Sequence, residues 1–482
     1  MSIKQKTVKG LKWSFADNIV NQGLHFIVGI VLARLLSPSE FGIIGIITVF
    51  TSMSQLIVDS GLSQSLIRKK TCTEEDWNTM FYSNITLGLV TCTLLVLSAP
   101  AIARFYEMPE ISKLLRVMSL VLVINAIGLV EQTQLIRLIE FKSITKISIV
   151  SSVVSGIVGI VLALLGFSYW SLVWKSIVQN LVRVFLLRVN TKWHPSLMFS
   201  RESFLEMFGF GSRLLVSQFI GKGYQNTYYF LIGKFFSARE LGLYSKAEQF
   251  KNLPTDNIIN TIQRVTYPIL SQMNDQPQKQ IEVYRRLLRT LFYAMLTIVI
   301  GIVSFSQETI IILLGHKWEE VIPYLRILAL SAIPMPLSYL NMNMLKVRNR
   351  PDLYMKVEIL KKLIFIPAVV WGVLMGINLL LVVIVIISIM DYLINSIASS
   401  KVIKYPLKMQ IVDIAPIVVY GLTASAILWL FSLLSIRSDL LSLLMKGAIL
   451  LSVITFMGEC MKMKEYQEIK QVTISYFAKG RR

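Results

Sequence analysis

Apolar runs of roughly 18–24 residues recur along nearly the whole 482-residue chain, and this repetition constrains the fold more than any other feature. A helix rising about 1.5 Å per residue needs about 20 such residues to cross a hydrocarbon core of about 30 Å. Fourteen spans are expected, at 14–36, 41–58, 77–98, 115–135, 147–166, 169–187, 207–232, 241–262, 289–306, 324–345, 357–376, 379–400, 411–434 and 440–458. The connections left over are too short for a separate extramembrane domain. Composition agrees: 54% of residues are hydrophobic and 16% charged, whereas soluble domains average about 45–50% and about 25%. The expected fold class is an all-α integral membrane protein. Spans seven and eight are weak by hydropathy and are included because charge placement and an internal repeat require two crossings there.

The net charge of +21 invites a nucleic-acid reading, but the charges sit in small groups between apolar runs. No basic face interleaved with stacking aromatics exists, as a single-strand binder requires, so no nucleic-acid partner is expected. Groups such as Arg68-Lys69-Lys70, Arg137/Lys142/Lys146, Arg285/Arg286/Arg289 and Lys401/Lys404/Lys408 fall on one side of the fourteen-span topology, with Lys4, Lys6, Lys9 and Lys12. Few basic residues fall on the other side, among them Arg104, Arg239, Lys317 and Arg437. By the positive-inside rule both termini are cytoplasmic. The lysine-rich start resembles a signal peptide, but its apolar run is too long and carries Asp17, Asn18 and Gln22, so it reads as a retained first span. Cys72, Cys92 and Cys460 are scattered and only three histidines occur. No metal site, disulfide framework or cofactor is expected.

The internal repeat sets the domain organisation. LARLLSPSEFGII at 32–44 aligns without a gap to IGKFFSARELGLY at 232–244, pairing Ser37 with Ser237, Glu40 with Glu240 and Gly42 with Gly242. A second anchor pairs LLRVMSL at 114–120 with YLRILAL at 324–330, matching Arg116 to Arg326. An offset of six spans preserves orientation, so the halves are parallel repeats. The expected divisions are a six-helix lobe over 1–200, a second over 201–408, and helices 13 and 14 with a cytoplasmic tail over 409–482. Two lobes of this kind suit a transporter that rocks one against the other.

At the same residues the chain resembles a known family. Lys12-Trp13-Ser14, Leu32-Ala33-Arg34-Leu35-Leu36-Ser37-Pro38, Phe41-Gly42 and Asp59-Ser60-Gly61-Leu62-Ser63-Gln64 are similar to the N-terminal signature of bacterial polysaccharide flippases. Leu241-Gly242-Leu243-Tyr244-Ser245-Lys246-Ala247 and Tyr267-Pro268 continue the likeness in the second half. These flippases form the polysaccharide-transporter branch of the multidrug/oligosaccharidyl-lipid/polysaccharide exporter superfamily, and the resemblance is greatest to types exporting colanic or teichuronic acid. It implies a twelve-helix core plus two helices in the bacterial inner membrane. It also implies movement of an undecaprenyl-diphosphate-linked oligosaccharide to the periplasmic leaflet for exopolysaccharide, capsule or O-antigen assembly, with a polymerase and export machinery as partners. The family has no short catalytic signature.

Ionisable groups in a span are costly and usually face a cavity or each other. The densest set lies on spans seven and eight: Arg213, Lys222, Lys246, Glu248, Lys251 and Asp256. Arg213 shares a helical face with Ser217, Gly221 and Tyr224, and Lys222 lies beside it with Gln218, Gln225 and Tyr229. One reading is a water-filled cavity whose cations (Arg213, Lys222, Lys246, Lys251), with Asn21 and Gln225, hold a diphosphate and its sugars. The other is snorkelling with local pairs such as Glu248–Lys251. On span one, Asp17, Asn21 and His25 recur one turn apart; Asp17, His25 and Glu131 are candidates for ion coupling, against local pairing of Asp17 with a nearby lysine and an interhelical hydrogen bond for His25. Glu131 also reads, with Lys175, Asp391 and Asp413, as an interface or helix-contact charge, and the Glu358/Lys361/Lys362 group reads as a cytoplasmic anchor at the start of span eleven. No Walker motif occurs, and His316 with Glu319 and Glu320 reads as a charged turn, so no enzyme constellation is found. Rival readings are a cation-coupled drug exporter, which favours an acid-lined cavity, a peptidoglycan-precursor flippase, and a membrane polymerase, which the short loops oppose.

Overall fold

A computed structural model describes residues 20–434 and 438–479. Every regular element among them is helical. The helices group into two compact units, Met1–Ser245 and Lys246–Arg482. The first contains α1 (Val20–Leu35), α2 (Pro38–Asp59), α3 (Leu62–Arg68), α4 (Glu74–Tyr106), α5 (Glu110–Met118), α6 (Leu120–Arg137), α7 (Phe141–Leu164), α8 (Trp170–Asn190) and α9 (Arg201–Phe235). Helix α10 (Ala238–Ser271) begins in it and continues into the second unit, which adds α11 (Pro277–Leu314), α12 (Val321–Ala332), α13 (Met335–Val347) and α14 (Pro351–Leu374). Then follow α15 (Ile377–Ser400), α16 (Leu407–Ser432), α17 (Asp439–Cys460) and α18 (Lys464–Lys479). These packing units are a different division from the sequence repeat, because α9 packs on α2, α3 and α4.

Nine segments among the described residues are long and apolar enough to cross a membrane, counting α5–α6 and α12–α13 as one segment each. Helices α8, α9, α10 and α14 are long but fall short of that apolarity, and the described part of α1 is apolar but shorter. Large apolar side chains point outward as well as inward: on α7, Val150, Ile157, Val161 and Leu164 are all exposed. In water such a surface would drive aggregation; in lipid it is the required exterior. The chain is a multi-pass helical membrane protein.

The residues shared by the repeat turn out to be helix-start chemistry. Ser37 precedes α2; its amide donates to Glu40 Oε2 at 2.5 Å, and the Glu40 amide donates back to Ser37 Oγ at 3.5 Å. The Ser237 amide donates to Glu240 Oε2 at 3.2 Å, and the Glu240 amide to Ser237 Oγ at 3.1 Å. Both copies thus form a capping box, which satisfies otherwise orphaned amides. The paired glycines let these two helix starts cross backbone to backbone. A Cβ on Gly42 would lie 1.7 Å from the Ala238 carbonyl oxygen, and one on Gly242 would lie 1.8 Å from the Pro38 carbonyl oxygen. Positions 38/238 and 42/242 are related by the repeat offset, so the crossing has local two-fold symmetry.

Two expected spans are divided, and a sharp turn follows a third. After α2, Ser60 and Gly61 adopt left-handed backbone (φ 45° and 70°) and start the short α3. Span four divides at Ser119, whose hydroxyl bonds back to the Arg116 carbonyl at 2.7 Å and so competes with the helix ladder. Span ten divides at Ile333–Pro334, where Pro334 and Pro336 frame the start of α13. By contrast, Pro254, Pro367 and Pro416 lie inside unbroken helices.

The segment after span fourteen, expected only as a cytoplasmic tail, forms α18. It docks on α11: Arg289 meets Glu465 at 2.5 Å, Arg286 meets Glu468 at 2.6 Å, and Thr290 Oγ1 donates to Glu468 at 2.9 Å. Tyr466 packs over Gly458, where a Cβ would lie 2.4 Å from the ring.

Candidate functional site

Within the first unit, polar side chains interrupt helices that are otherwise apolar. The α2 run Thr51-Ser52-Met53-Ser54-Gln55 is half-buried, and two of its members bond to other helices. Asn226 Nδ2 on α9 donates to Ser52 Oγ at 3.2 Å, and Asn125 Nδ2 on α6 donates to Gln55 Oε1 at 3.1 Å. Positions 52 and 55 are i, i+3 neighbours, so both bonds leave one face of α2. On another pair of helices, Gln179 Nε2 of α8 lies 3.4 Å from His25 Nε2 of α1. Lys175, one turn earlier on α8, acts electrostatically on His25. Its stem fits beside Gly159 of α7, where a Cβ would come within 3.0 Å of it.

The expected site residues of this unit fall as follows. Asn21 is half-buried one turn before His25, which is exposed. On α9, Lys222 is half-buried while Arg213 and Gln225 are exposed. Glu131 is fully buried on α6 and meets Arg188 Nε of α8 at 3.0 Å, which ties those helices together. Asp17 lies outside the described residues.

In the second unit Lys246 and Lys251 are 4% and 7% exposed. Lys246 Nζ donates to Gln249 Oε1 at 3.1 Å and lies 5.9 Å from the centre of the Trp318 ring. Lys251 feels the charges of Glu248 and Asp256 but makes no direct ion pair among the described residues. Two other charged groups of this unit are ion-paired. Lys361 bridges Glu358 at 2.5 Å and Asp391 at 2.8 Å, joining α14 to α15. Arg285 grips Asp413 through Nε and Nη2, both at 2.7 Å, and the Tyr405 hydroxyl donates to the same carboxylate. These pairs hold helices together, in keeping with the helix-contact reading of Asp391 and Asp413.

At the helix ends of the first unit, Lys69 reaches Glu206 at 2.8 Å and Asp76 at 3.1 Å, and the Ser203 hydroxyl donates to Asp76. Lys69 lies outside the spans. Its hydrogen bond to the Glu206 carboxylate chiefly holds its pKa above the ordinary lysine value. Sequence reasoning missed the polar runs Thr51–Gln55 and Gln179–Asn180. Their signal was present, as hydroxyl and amide residues clustered inside apolar spans.

Half-buried amides and hydroxyls exchange hydrogen bonds with hydroxyl-rich ligands, and buried ammonium groups bind phosphate or carboxylate oxygens. A multi-pass helical bundle carrying such groups within its spans belongs to the class of membrane transporters. Residues 31–323 match the polysaccharide biosynthesis protein family, and the chain belongs to it, as a polysaccharide flippase of the multidrug/oligosaccharidyl-lipid/polysaccharide exporter superfamily. It is similar to the teichuronic acid biosynthesis protein TuaB of Bacillus subtilis (strain 168), 28% identical over 357 residues and 73% of each chain. It is also similar to the lipopolysaccharide biosynthesis protein WzxC of Escherichia coli (strain K12), 26% identical over 77% of this chain and 76% of that one. The succinoglycan biosynthesis transport protein ExoT of Rhizobium meliloti (strain 1021) is 25% identical over 68% of this chain and 67% of its own. Among solved structures, an inward-facing multidrug resistance transporter of the same superfamily superposes with a TM-score of 0.59 at 16% identity. That superposition covers 79% of this chain and 95% of the other, and is a likeness of fold alone. The chain is a transporter of polysaccharide biosynthesis and not an enzyme.

Proposed function

We propose that this protein flips an undecaprenyl-diphosphate-linked oligosaccharide from the cytoplasmic to the periplasmic leaflet of the bacterial inner membrane, with both termini cytoplasmic. The halves 1–200 and 201–408 alternate access, and 409–482 is appended. The carrying observation is the pair of buried lysines on α10, Lys246 and Lys251. In a family that serves polysaccharide synthesis, cations kept within a span suit the diphosphate of a carrier lipid. Arg213 and Lys222 on α9 add positive charge, while Asn21, Gln225 and the α2 polar run suit sugar hydroxyls. The named relatives serve teichuronic acid, lipopolysaccharide and succinoglycan, which favours a polymer repeat unit over a peptidoglycan precursor. A drug exporter shares the fold, but cationic drugs call for free acids, whereas Glu131, Glu308, Asp391 and Asp413 are all ion-paired.

The test replaces Lys222 and Lys246 together with Gln. A hydrogen bond to a charged group contributes about 1.5–3 kcal/mol, so each loss weakens substrate binding roughly tenfold or more. Surface polysaccharide should fall while protein level and membrane insertion hold, and Arg at both positions should restore part of it. Normal polymer output from the double Gln variant would remove these lysines from the substrate path.

A further inference from the structure

Away from those polar groups, the second unit holds a cavity of about 820 Å³ between α11, α12, α16 and α17. Its two ends differ in chemistry. One end carries Glu308, Arg326, Asp439 and Lys446, with the indole of Trp429. These residues lie toward the ends of α11 and α16 and the starts of α12 and α17. Deeper along the same helices the lining becomes apolar, through Ile300 to Leu296 on α11 and to Val418 on α16. From Glu308 to Leu296 the helix rises about 18 Å at about 1.5 Å per residue. One leaflet of a hydrocarbon core of about 30 Å is about 15 Å deep. The cavity therefore has the length and polarity gradient of a single leaflet.

Its charges are unevenly satisfied. Glu308 is committed: Lys446 Nζ approaches to 2.5 Å and Ser442 Oγ donates at 2.7 Å, with both ions buried. Asp439 sits in the first turn of α17, where the helix dipole favours an acid. Arg326 has no such counterpart. Its one side-chain bond among the described residues runs from Nε to Ser306 Oγ at 2.8 Å, and the guanidinium stays exposed on the cavity wall. An arginine within a span, paired only with a hydroxyl, calls for an anion. Its planar fork matches two phosphate oxygens.

We propose that this cavity holds a membrane glycerophospholipid, with its phosphate on the Arg326 guanidinium and an acyl chain along the shaft toward Leu296. A free phosphate would leave the shaft uncovered. The indole of Trp429 lies at the polar end, where tryptophan favours the headgroup level. The lipid would fasten α16 and α17 to α11 and α12, beside the Glu308–Lys446 pair. This site is separate from the lysines assigned to the flipped substrate.

The test uses the full-length protein, purified and stripped of lipid in detergent, then titrated with dioleoylphosphatidylglycerol and read by native mass spectrometry. Wild type should show one saturable adduct and a raised melting temperature. Arg326→Gln should weaken that adduct tenfold or more, and Arg326→Lys should fall between. Ser425→Trp fills the shaft from an exposed wall position while leaving the guanidinium in place, and should weaken the adduct as well. If Arg326→Gln lowers the melting temperature of the lipid-free protein, Ser425→Trp decides the matter alone. Adducts of wild-type strength in Ser425→Trp would overturn the proposal. So would displacement of the phospholipid by equimolar inorganic phosphate or by polyprenyl phosphate.

Discussion

Replacing Gly42 with Ala probes the crossing of α2 and α10 more sharply than any other single change. The new methyl would lie 1.7 Å from the Ala238 carbonyl oxygen, and ordinary contact begins at 3.4 Å, so these helix starts must part by 1.7 Å. The obstacle is backbone on a capped first turn, which cannot turn aside as a side chain would. Overpacking of this kind costs about 1–3 kcal/mol. If transport opens the crossing, the cost falls on the crossed state alone and shifts the balance toward the open state by about 5–150-fold. Gly242→Ala should act alike, since its methyl meets the Pro38 carbonyl oxygen at 1.8 Å. The double variant should cost much less than the sum, because one methyl already parts the helices. Gly45→Ala, one turn along α2, is the control: its methyl meets Leu241 and Tyr229 side chains at 3.6 Å, which is ordinary contact. The assay is thiol labelling of a single cysteine at position 237, in a chain lacking Cys72, Cys92 and Cys460, alongside melting temperature. Labelling should rise in Gly42→Ala and Gly242→Ala and stay at the control level in Gly45→Ala. Equal labelling and stability in all three variants would refute the backbone-crossing argument.

Two further outcomes are expected. Single cysteines at 105, 168, 237, 316 and 437 should label from the periplasm and those at 70, 193, 279, 350 and 470 should not; protection at 237 with labelling at 279 would break both the fourteen-span topology and the parallel repeat. Asp76→Asn removes the acid shared by Lys69, Ser203 and the Thr73 amide and should destabilise the protein by about 1–3 kcal/mol, read as a lower melting temperature; an unchanged melt would show that Glu206 alone holds Lys69.

What the sequence made legible was local chemistry. Ser37 and Glu40, like Ser237 and Glu240, lie three residues apart and close their own capping boxes, so their pattern reads without knowledge of the fold. The glycines two positions on were legible as repeated, but not as a crossing, because nothing in a sequence states which backbone lies 1.7 Å away. The ion pairs were illegible for the same reason. Glu131 finds Arg188, and Glu308 finds Lys446, through packing of helices distant in the chain. The polar run on α2 escaped because serine and threonine barely lower the hydropathy of a span, although their hydroxyls bond across helices.

Arg285, Arg286 and Arg289 show where charge counting stops being informative. Read along the chain, they are simply basic residues on the cytoplasmic side, and their position at the start of α11 suits that reading. The fold gives each one a specific acid: Asp413 on α16, Glu468 and Glu465 on α18. One cluster can therefore bias insertion and later fasten two helices that emerge more than a hundred residues afterwards. The positive-inside rule responds to the sign and side of a charge during insertion. Pairing responds to the distance between side chains after packing, and Glu465 ends only 2% exposed as a result. Lys251 falls between these cases, since it is as buried as Asp413 yet makes no direct ion pair among the described residues. A buried cation in that position is costly to keep without an anionic partner, and this asymmetry is one that no count of charges along the chain expresses.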